Sequence, residues 1–181
     1  LGEVVMVPGV VLRDDPFLPR GLGSRPFDGE GLAVQAMDLV DANGVLLTYL
    51  HDARSAAKMG HQPGGHACRG ATSLPSAGPS NVLVVGGQSN LDAIIATTAR
   101  GLLVTHLMGH SPDMITGDYS RGASGFWIEG GAIAFPVDEV TIAGHMLQLM
   151  RAIDRVGDDP DTRSALQAPT IRFAEMSISG T

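Results

Sequence analysis

The sequence predicts an α+β fold in which a largely antiparallel β-sheet, built from hairpins, packs with a few helices. The chain has 24 glycines in 181 residues and only 17% charged residues, which favours turn-rich β structure because glycine weakens helices and permits tight reversals. Short β-branched runs recur between turn signals. The few helical segments do not alternate strictly with strands, as a parallel sheet requires. The length predicts a single domain over residues 1–181.

The first quarter of the chain predicts strands joined by tight turns. Residues 3–12 form a β-branched apolar run that Pro8-Gly9 divides into two strand pieces. Residues 32–40 alternate between apolar and polar side chains, and "DANG" follows at 41–44. Because Asn-Gly is preferred in two-residue hairpin turns, residues 45–50 are predicted to be the return strand.

The middle of the chain contains two helix signals and one long loop. Asp52 is predicted to cap a short helix, Ala53–Met59, and Gly60 to end it. Residues 60–80 are rich in glycine, proline and serine, and loops of this length are usually functional or mobile. A strand is predicted at 81–85. Ser89 or Asn90 then caps a helix that reaches about residue 100.

The last part of the chain predicts a second hairpin and one longer helix. A strand at 102–108 precedes two strands, at 124–128 and 132–135, which flank the turn at 129–131. Residues 144–156 carry an apolar stripe at helical spacing. Residues 171–178 predict a closing strand whose alternation is interrupted.

Composition and charge exclude several classes of function. A net charge of −7, with scattered basic residues, argues against a nucleic-acid surface. No segment approaches the roughly 20 apolar residues that a membrane span needs, and we expect no signal peptide, because the sequence does not open with the charged-then-apolar pattern. The single cysteine excludes an intrachain disulfide and indicates a reducing compartment, so we expect a cytoplasmic protein. The chain starts at Leu1 in a strand-like run, which is typical of a piece of a longer protein.

Metal binding is the alternative that the sequence leaves open. His61, His66 and Cys68 are potential zinc ligands, and His106 and His110 lie four residues apart. No H-E-x-x-H motif occurs, and glycines separate His61 from His66, so no helical face presents them together. We therefore expect no metal in this chain, with His61, His66 and Cys68 as the alternative site. The sequence has no G-x-S-x-G motif, and its spacing identifies no partner residue for Cys68. It therefore gives no sign of a catalytic nucleophile.

The stretch "ITGDYSRGASGFWIEGG" at 115–131 is the strongest candidate for a binding site. It combines hydroxyl groups, a carboxylate and a guanidinium with five glycines and the only tryptophan. One interpretation is a turn in which Asp118 pairs with Arg121. The other is an accessible strand edge that accepts a peptide as an added strand. The predicted substrate-binding residues are Thr116, Gly117, Asp118, Ser120, Arg121 and Gly122.

These same residues carry a resemblance to a known family. "GLLVT", "LMG", "TGDYSRGASGFWIE" and "TIAG", followed by "GDD" and "TRS", resemble in their order the C-terminal domain of the TldD/PmbA family, and the TldE (PmbA) branch most closely. "GLGSRPFDGEG" and "GHACRG…PSNVLVVGG" add two further matching segments. One departure is Ala168-Pro169, at a position where the branch commonly has Cys-Gly.

The resemblance implies a bacterial, cytoplasmic two-subunit metallopeptidase. In this family a TldD-type subunit carries zinc on an H-E-x-x-x-H helix, and a TldE-type subunit carries none. The heterodimer acts on unfolded peptides, in proteolysis and in peptide maturation. This chain would then be the C-terminal domain of a non-catalytic subunit, with no cofactor of its own and with a TldD-like partner. The alternative is a stand-alone peptide- or protein-binding module, such as a modulator of DNA gyrase, and a homodimer is also expected.

Overall fold

The computed structural model describes residues 1–109 and 112–180 and confirms an α+β fold with mostly antiparallel strands. His110 lies outside the described residues. The helices are α1 (Ala53–Met59), α2 (Leu91–Ala96) and α3 (Met146–Arg151). The strands are β1 (Val11–Asp14), β2 (Met37–Val40), β3 (Ala67–Cys68), β4 (Ser76–Ala77), β5 (Val82–Val85), β6 (Arg100–Met108), β7 (Asp118–Glu129), β8 (Ala132–His145), β9 (Ile153–Val156), β10 (Leu166–Gln167), β11 (Ile171–Phe173) and β12 (Ser177–Ser179).

The internal contacts divide the chain into two compact units. The first comprises Leu1–Val4, Pro8–Gly86 and Pro160–Pro169, and the second comprises Val5–Val7, Gly87–Asp159 and the residues from Thr170 onward. Whether the two units fold together as the single domain expected for residues 1–181 stays a prediction. No helix within the described ranges is long and apolar enough to cross a membrane.

The first unit is built on a four-stranded sheet with the order β10-β5-β1-β2. All its pairings are antiparallel except β10 with β5, which is parallel. The long segment predicted as a loop contains the short β3–β4 hairpin. The turn after β2 forms as predicted, because Asp41 accepts hydrogen bonds from the backbone N–H groups of Asn43 and Val45.

The first helix begins and ends where the sequence predicts. Asp52 accepts a hydrogen bond from the Ser55 backbone, and the Ser55 hydroxyl accepts one from the Asp52 backbone. This reciprocal capping box satisfies two donors that helix geometry leaves free. Gly60 ends the helix with φ = 69°, a left-handed conformation that glycine adopts without steric cost.

The second unit is dominated by the sheet β12-β8-β7-β6. The predicted hairpin is confirmed and is longer than expected, because β7 and β8 pair over most of their length around Gly130-Gly131. Its core consists of the buried side chains of Ala123, Val140 and Ile142. Half-buried side chains pack against them from β6, β7, β8 and the segment before β12, namely Leu102, Val104, Tyr119, Val137 and Met176.

Several predicted elements differ from the structure: the strand piece before Pro8 is reduced to a bridge at Val4, the helix expected to reach about residue 100 ends at Ala96, and the closing strand divides into β11 and β12. Two further elements are wrong, and tertiary pairing explains both. The helix expected over 144–156 is helical only in α3, because Ile153–Val156 is strand β9, which pairs with β11 and buries Ile153 and Val156. An apolar stripe at helical spacing also fits a short helix followed by a strand. The return strand expected at 45–50 is reduced to bridges from Val45 to Val4 and from Leu46 to Val40.

A free sheet edge and an apolar cavity form the candidate binding site

The loop that carries Thr116 and Gly117 is held in one conformation by its own hydrogen bonds. The Asp113 carboxylate accepts bonds from the backbone N–H groups of Ile115 and Thr116, at 2.7 and 3.1 Å. These two bonds lower the pKa of Asp113. The Gly117 N–H donates to the Asp113 carbonyl oxygen at 2.9 Å, and Gly117 has φ = 80°. The loop is therefore preorganised.

The remaining predicted residues lie in β7 and divide between its two faces. Asp118 and Ser120 are exposed, and alternation along the strand places Gly122 on their face. Arg121 faces the other way and donates to the carbonyl oxygens of Met108 and Gly109, at 3.4 and 3.3 Å. Asp118 accepts a bond from the Thr116 hydroxyl at 2.9 Å. The first interpretation expected an ion pair between Asp118 and Arg121. In the structure each side chain instead has its own partners, the Thr116 hydroxyl for Asp118 and the backbone of Met108 and Gly109 for Arg121.

The interpretation of this stretch as a free strand edge fails for residues 122–129. Strand β7 lies inside the sheet and pairs with β6 on one side and with β8 on the other. Gly122 lies opposite Met108 on one neighbour and Thr141 on the other. Because both sets of backbone groups are engaged between Gly122 and Glu129, no peptide can add to that part of β7, whereas residues 118–121 pair with β8 alone among the strands that the structure describes. The glycines here permit close packing between strands.

The accessible edge belongs to β6, which ends the sheet on this side. Every backbone pairing of β6 goes to β7, and no other backbone hydrogen bond involves residues 101–108 within the part of the chain that the structure describes. In an antiparallel pair, alternate residues direct their N–H and C=O groups away from the partner. Strand β6 therefore presents a row of free donors and acceptors, which is a template for strand addition.

A cavity of about 700 Å³ borders this edge. Its walls come from α2, β6, the inner face of β7 and β8, and the residues around β11. Five consecutive residues of β6, 100–104, line it. Consecutive side chains of a strand point to opposite faces, so a cavity that contacts all five reaches the backbone along the free edge. The apolar cavity and the free backbone groups are therefore parts of one surface.

Arg172, a half-buried cation that lines the cavity, has all three of its guanidinium nitrogens engaged. Nε and Nη2 of Arg172 donate to the two carboxylate oxygens of Asp154, at 2.9 and 2.8 Å. Its Nη1 donates to the hydroxyls of Thr97 and Thr98, both at 3.0 Å, and to the Ile94 carbonyl oxygen at 3.3 Å. The bond from Arg172 lowers the pKa of Asp154. The positive charge of Arg172 is thus balanced by Asp154. Its bonds to Ile94, Thr97 and Thr98 attach α2 and its C-terminal end to β11.

Sequence reasoning did not identify the β6 edge or the cavity as the site. The run "GLLVTHLM" was assigned correctly as a strand, but a run of apolar residues does not indicate whether a strand lies at an edge or inside a sheet. The only available signal was proximity to the 115–131 stretch, which follows β6 in the chain and pairs with it.

The alternative metal ligands lie in the first unit and are not brought together. Nδ1 of His61 lies 3.0 Å from Nε2 of His51, and Sγ of Cys68 accepts from Nη1 of Arg25 at 3.4 Å. His66 is buried, with neither ring nitrogen hydrogen-bonded. Among the residues described, no three His, Cys, Asp or Glu side chains are close enough to hold a metal ion.

The surroundings of His66 favour a neutral imidazole. Burial lowers its pKa, because a low-dielectric environment disfavours the charged form. The nearest carboxylate oxygen is Oδ2 of Asp14, 3.9 Å from Nε2, and Asp14 also accepts bonds from the N–H and hydroxyl of Ser80, at 2.8 and 2.6 Å. This is a buried polar cluster that joins β1 to the segment before β5.

Comparison with known proteins identifies the family. Residues 1–180 match the PmbA/TldA metallopeptidase C-terminal domain. The metalloprotease PmbA of Escherichia coli O157:H7 is 38% identical over 180 residues, which are 99% of this chain and 38% of that protein. The chain thus spans about two fifths of the length of this relative.

Two crystal structures share both fold and sequence. A Thermotoga maritima protein provisionally described as a modulator of a DNA gyrase is 33% identical with a TM-score of 0.89, covering 99% of this chain and 41% of that one. TldE from Thermococcus kodakarensis is 27% identical with a TM-score of 0.89, covering 99% of this chain and 42% of that one. The chain therefore belongs to the TldD/PmbA family of metallopeptidases and corresponds to their C-terminal domain.

Proposed function

We propose that this chain is the C-terminal part of a non-catalytic, TldE-type subunit that holds unfolded peptides for cleavage by a TldD-type partner. The partner would carry the zinc, and the pair would act in proteolysis and peptide maturation in the bacterial cytoplasm. Family membership supports this proposal, as does the resemblance of the 115–131 stretch to the TldE branch.

The observation that carries the proposal is the free edge of β6 beside an apolar cavity. A peptide that pairs with this edge would be held through its backbone, so many sequences could bind. Only an extended segment could pair, so a folded protein would be spared. This mechanism suits a peptidase that degrades unfolded chains.

The six residues predicted from the sequence would act at one end of this edge. Arg121 contacts the backbone of Met108 and Gly109, where β6 ends. We propose that Thr116, Gly117 and Asp118 in and beside the rigid loop, together with Ser120 and Gly122 on the exposed face of β7, contact the peptide or the partner subunit. Their role would be binding through side chains and loop geometry.

The test compares the full-length protein, the TldD-type subunit of the same organism, and the two together. We expect cleavage of an unfolded peptide only by the pair. Peptides N-methylated at every second residue would probe the edge, because methylation removes the N–H donor. One of the two alternate methylation patterns should slow cleavage strongly and the other should not. Cleavage by this protein alone, after every trace of partner is removed, would contradict the proposal.

The second candidate is a stand-alone peptide- or protein-binding module such as a modulator of DNA gyrase, which the description of the Thermotoga maritima structure favours. Such a module would act without a TldD-type subunit. An effect of the purified full-length protein on gyrase supercoiling, together with unchanged peptide cleavage when it is omitted, would favour this candidate.

A further inference from the structure

The cavity of the second unit has walls suited to uncharged apolar groups. Its lining is mostly aliphatic, with Leu91, Ile94 and Ile95 from the α2 side and Leu102, Leu103 and Val104 from β6. A volume of about 700 Å³ lies inside the range of roughly 300–1,000 Å³ that is typical of ligand pockets. The cavity is therefore large enough for more than one side chain.

The half-buried arginine at the cavity is already paired and does not provide a ready site for an anionic ligand. All three guanidinium nitrogens of Arg172 donate hydrogen bonds, to Asp154, to two threonine hydroxyls and to a carbonyl oxygen. Because Arg172 is already paired with a carboxylate, binding another anion would require it to exchange that partner, and an apolar occupant fits this end of the cavity. The second cation at the cavity, Arg100, lies 5.4 Å from the centroid of the Trp127 ring. Hydrogen-bonding groups remain available along the β6 backbone, and these match a peptide rather than a lipid chain.

We infer that the cavity is a specificity site for aliphatic side chains at alternate positions of an extended peptide paired with β6. Alternate residues of a strand point to the same face, about 6.6–6.8 Å apart. A paired peptide would thus direct every second side chain into the cavity while its backbone extends the sheet. This inference rests on the proposed peptide capture and adds the class of residue that is selected.

The test measures binding of labelled peptides to this 181-residue chain by fluorescence anisotropy. One heptapeptide alternates leucine with serine, and its control replaces each leucine with asparagine, which has nearly the same shape and no charge. Burial of a large aliphatic side chain predicts that the leucine peptide binds at least about tenfold more tightly. Equal affinity of the two peptides would overturn the inference.

Two matched variants locate the binding. Leu91→Trp fills the cavity from α2, whereas Leu147→Trp makes the same change on α3, at an exposed position that does not line the cavity. We expect Leu91→Trp to abolish the advantage of leucine over asparagine and Leu147→Trp to preserve it. A leucine advantage that survives in Leu91→Trp overturns the inference, because the peptide then binds elsewhere.

Alternate N-methylation separates this inference from the proposed capture. If neither methylation pattern weakens binding while Leu91→Trp does, the cavity binds aliphatic groups without strand pairing, and the proposed capture is wrong. If methylation weakens binding but the leucine and asparagine peptides bind alike, the peptide does pair with β6, and the inference that the cavity selects aliphatic side chains is wrong. A dimer that Leu91→Trp dissociates, with no peptide binding, would identify a second copy as the occupant and overturn both.

Discussion

Replacing Gly125 with alanine is expected to separate β6 from β7. A β-carbon at this position would overlap the carbonyl oxygen of Leu103 and lie 2.9 Å from its carbonyl carbon and 3.1 Å from the nitrogen of Thr105. Favourable carbon–carbon contacts begin at about 3.5 Å, and the obstructing atoms are backbone. The two strands would have to move apart by roughly 1 Å, which breaks the hydrogen bonds nearest to Val104 and Gly125.

The size of the effect follows from the number of bonds lost. Loss of two or three backbone hydrogen bonds, at about 1 kcal/mol each, lowers the free energy of unfolding by about 2–3 kcal/mol. Gly122→Ala is the matched control on the same strand, where the added carbon would lie 3.3 Å from the β-carbon of Met108. A shift of a few tenths of an ångström relieves this contact. The lower entropy of the unfolded alanine variant offsets the cost, so we expect a change below about 1 kcal/mol.

Urea unfolding followed by fluorescence measures both variants. Trp127 is the only tryptophan and lies two residues from Gly125 in β7, so its emission reports on this sheet. With a slope of about 2 kcal/mol per molar urea, Gly125→Ala should lower the midpoint by roughly 1–1.5 M. A Gly125→Ala protein that unfolds at the same urea concentration as Gly122→Ala would refute the close packing of β6 against β7.

Three further measurements test other parts of the molecule. Arg172→Leu should lower the free energy of unfolding by about 1.5–3 kcal/mol, since bonds to charged groups are lost. Arg163→Leu, whose pair with Asp161 is exposed, should leave the urea midpoint almost unchanged, because exposed ion pairs contribute little. Equal urea midpoints for the two variants would contradict this. Because burial lowers the pKa of His66 below its usual 6.5, the unfolded chain binds a proton there at higher pH than the folded chain, so stability should fall as pH drops below about 6.5. His66→Gln should flatten that fall by up to about 1.4 kcal/mol per pH unit, and an unchanged pH profile of the urea midpoint would argue against a neutral buried imidazole. Elemental analysis of protein purified without chelator should find far less than one zinc per chain, and one zinc per chain lost in His66→Ala would reverse that expectation.

Sequence alone was sufficient where structure depends on a few neighbouring residues. The helix at Ala53–Met59 was predicted with correct ends because Asp52, Ser55 and Gly60 form its caps by local hydrogen bonds and by a left-handed glycine. The β7–β8 hairpin was predicted because Gly130-Gly131 supply its turn, with positive φ at both residues. The family was also evident from the residues themselves, since an ordered set of motifs in one segment is specific.

Tertiary structure decided the features that depend on contacts between distant residues. Ile153 lies in a strand because β11, about twenty residues later, pairs with it. Nothing near β6 in the sequence indicates that it ends the sheet, because strand order is set by all the pairings together. The candidate site shows the same limit: residues 116–122 were proposed from their chemistry, whereas the unpaired edge of the neighbouring strand β6 is evident only from the order of strands in the sheet. Local propensities act over one helical turn or one hairpin, whereas edges, cavities and buried histidines arise only when remote segments pack together.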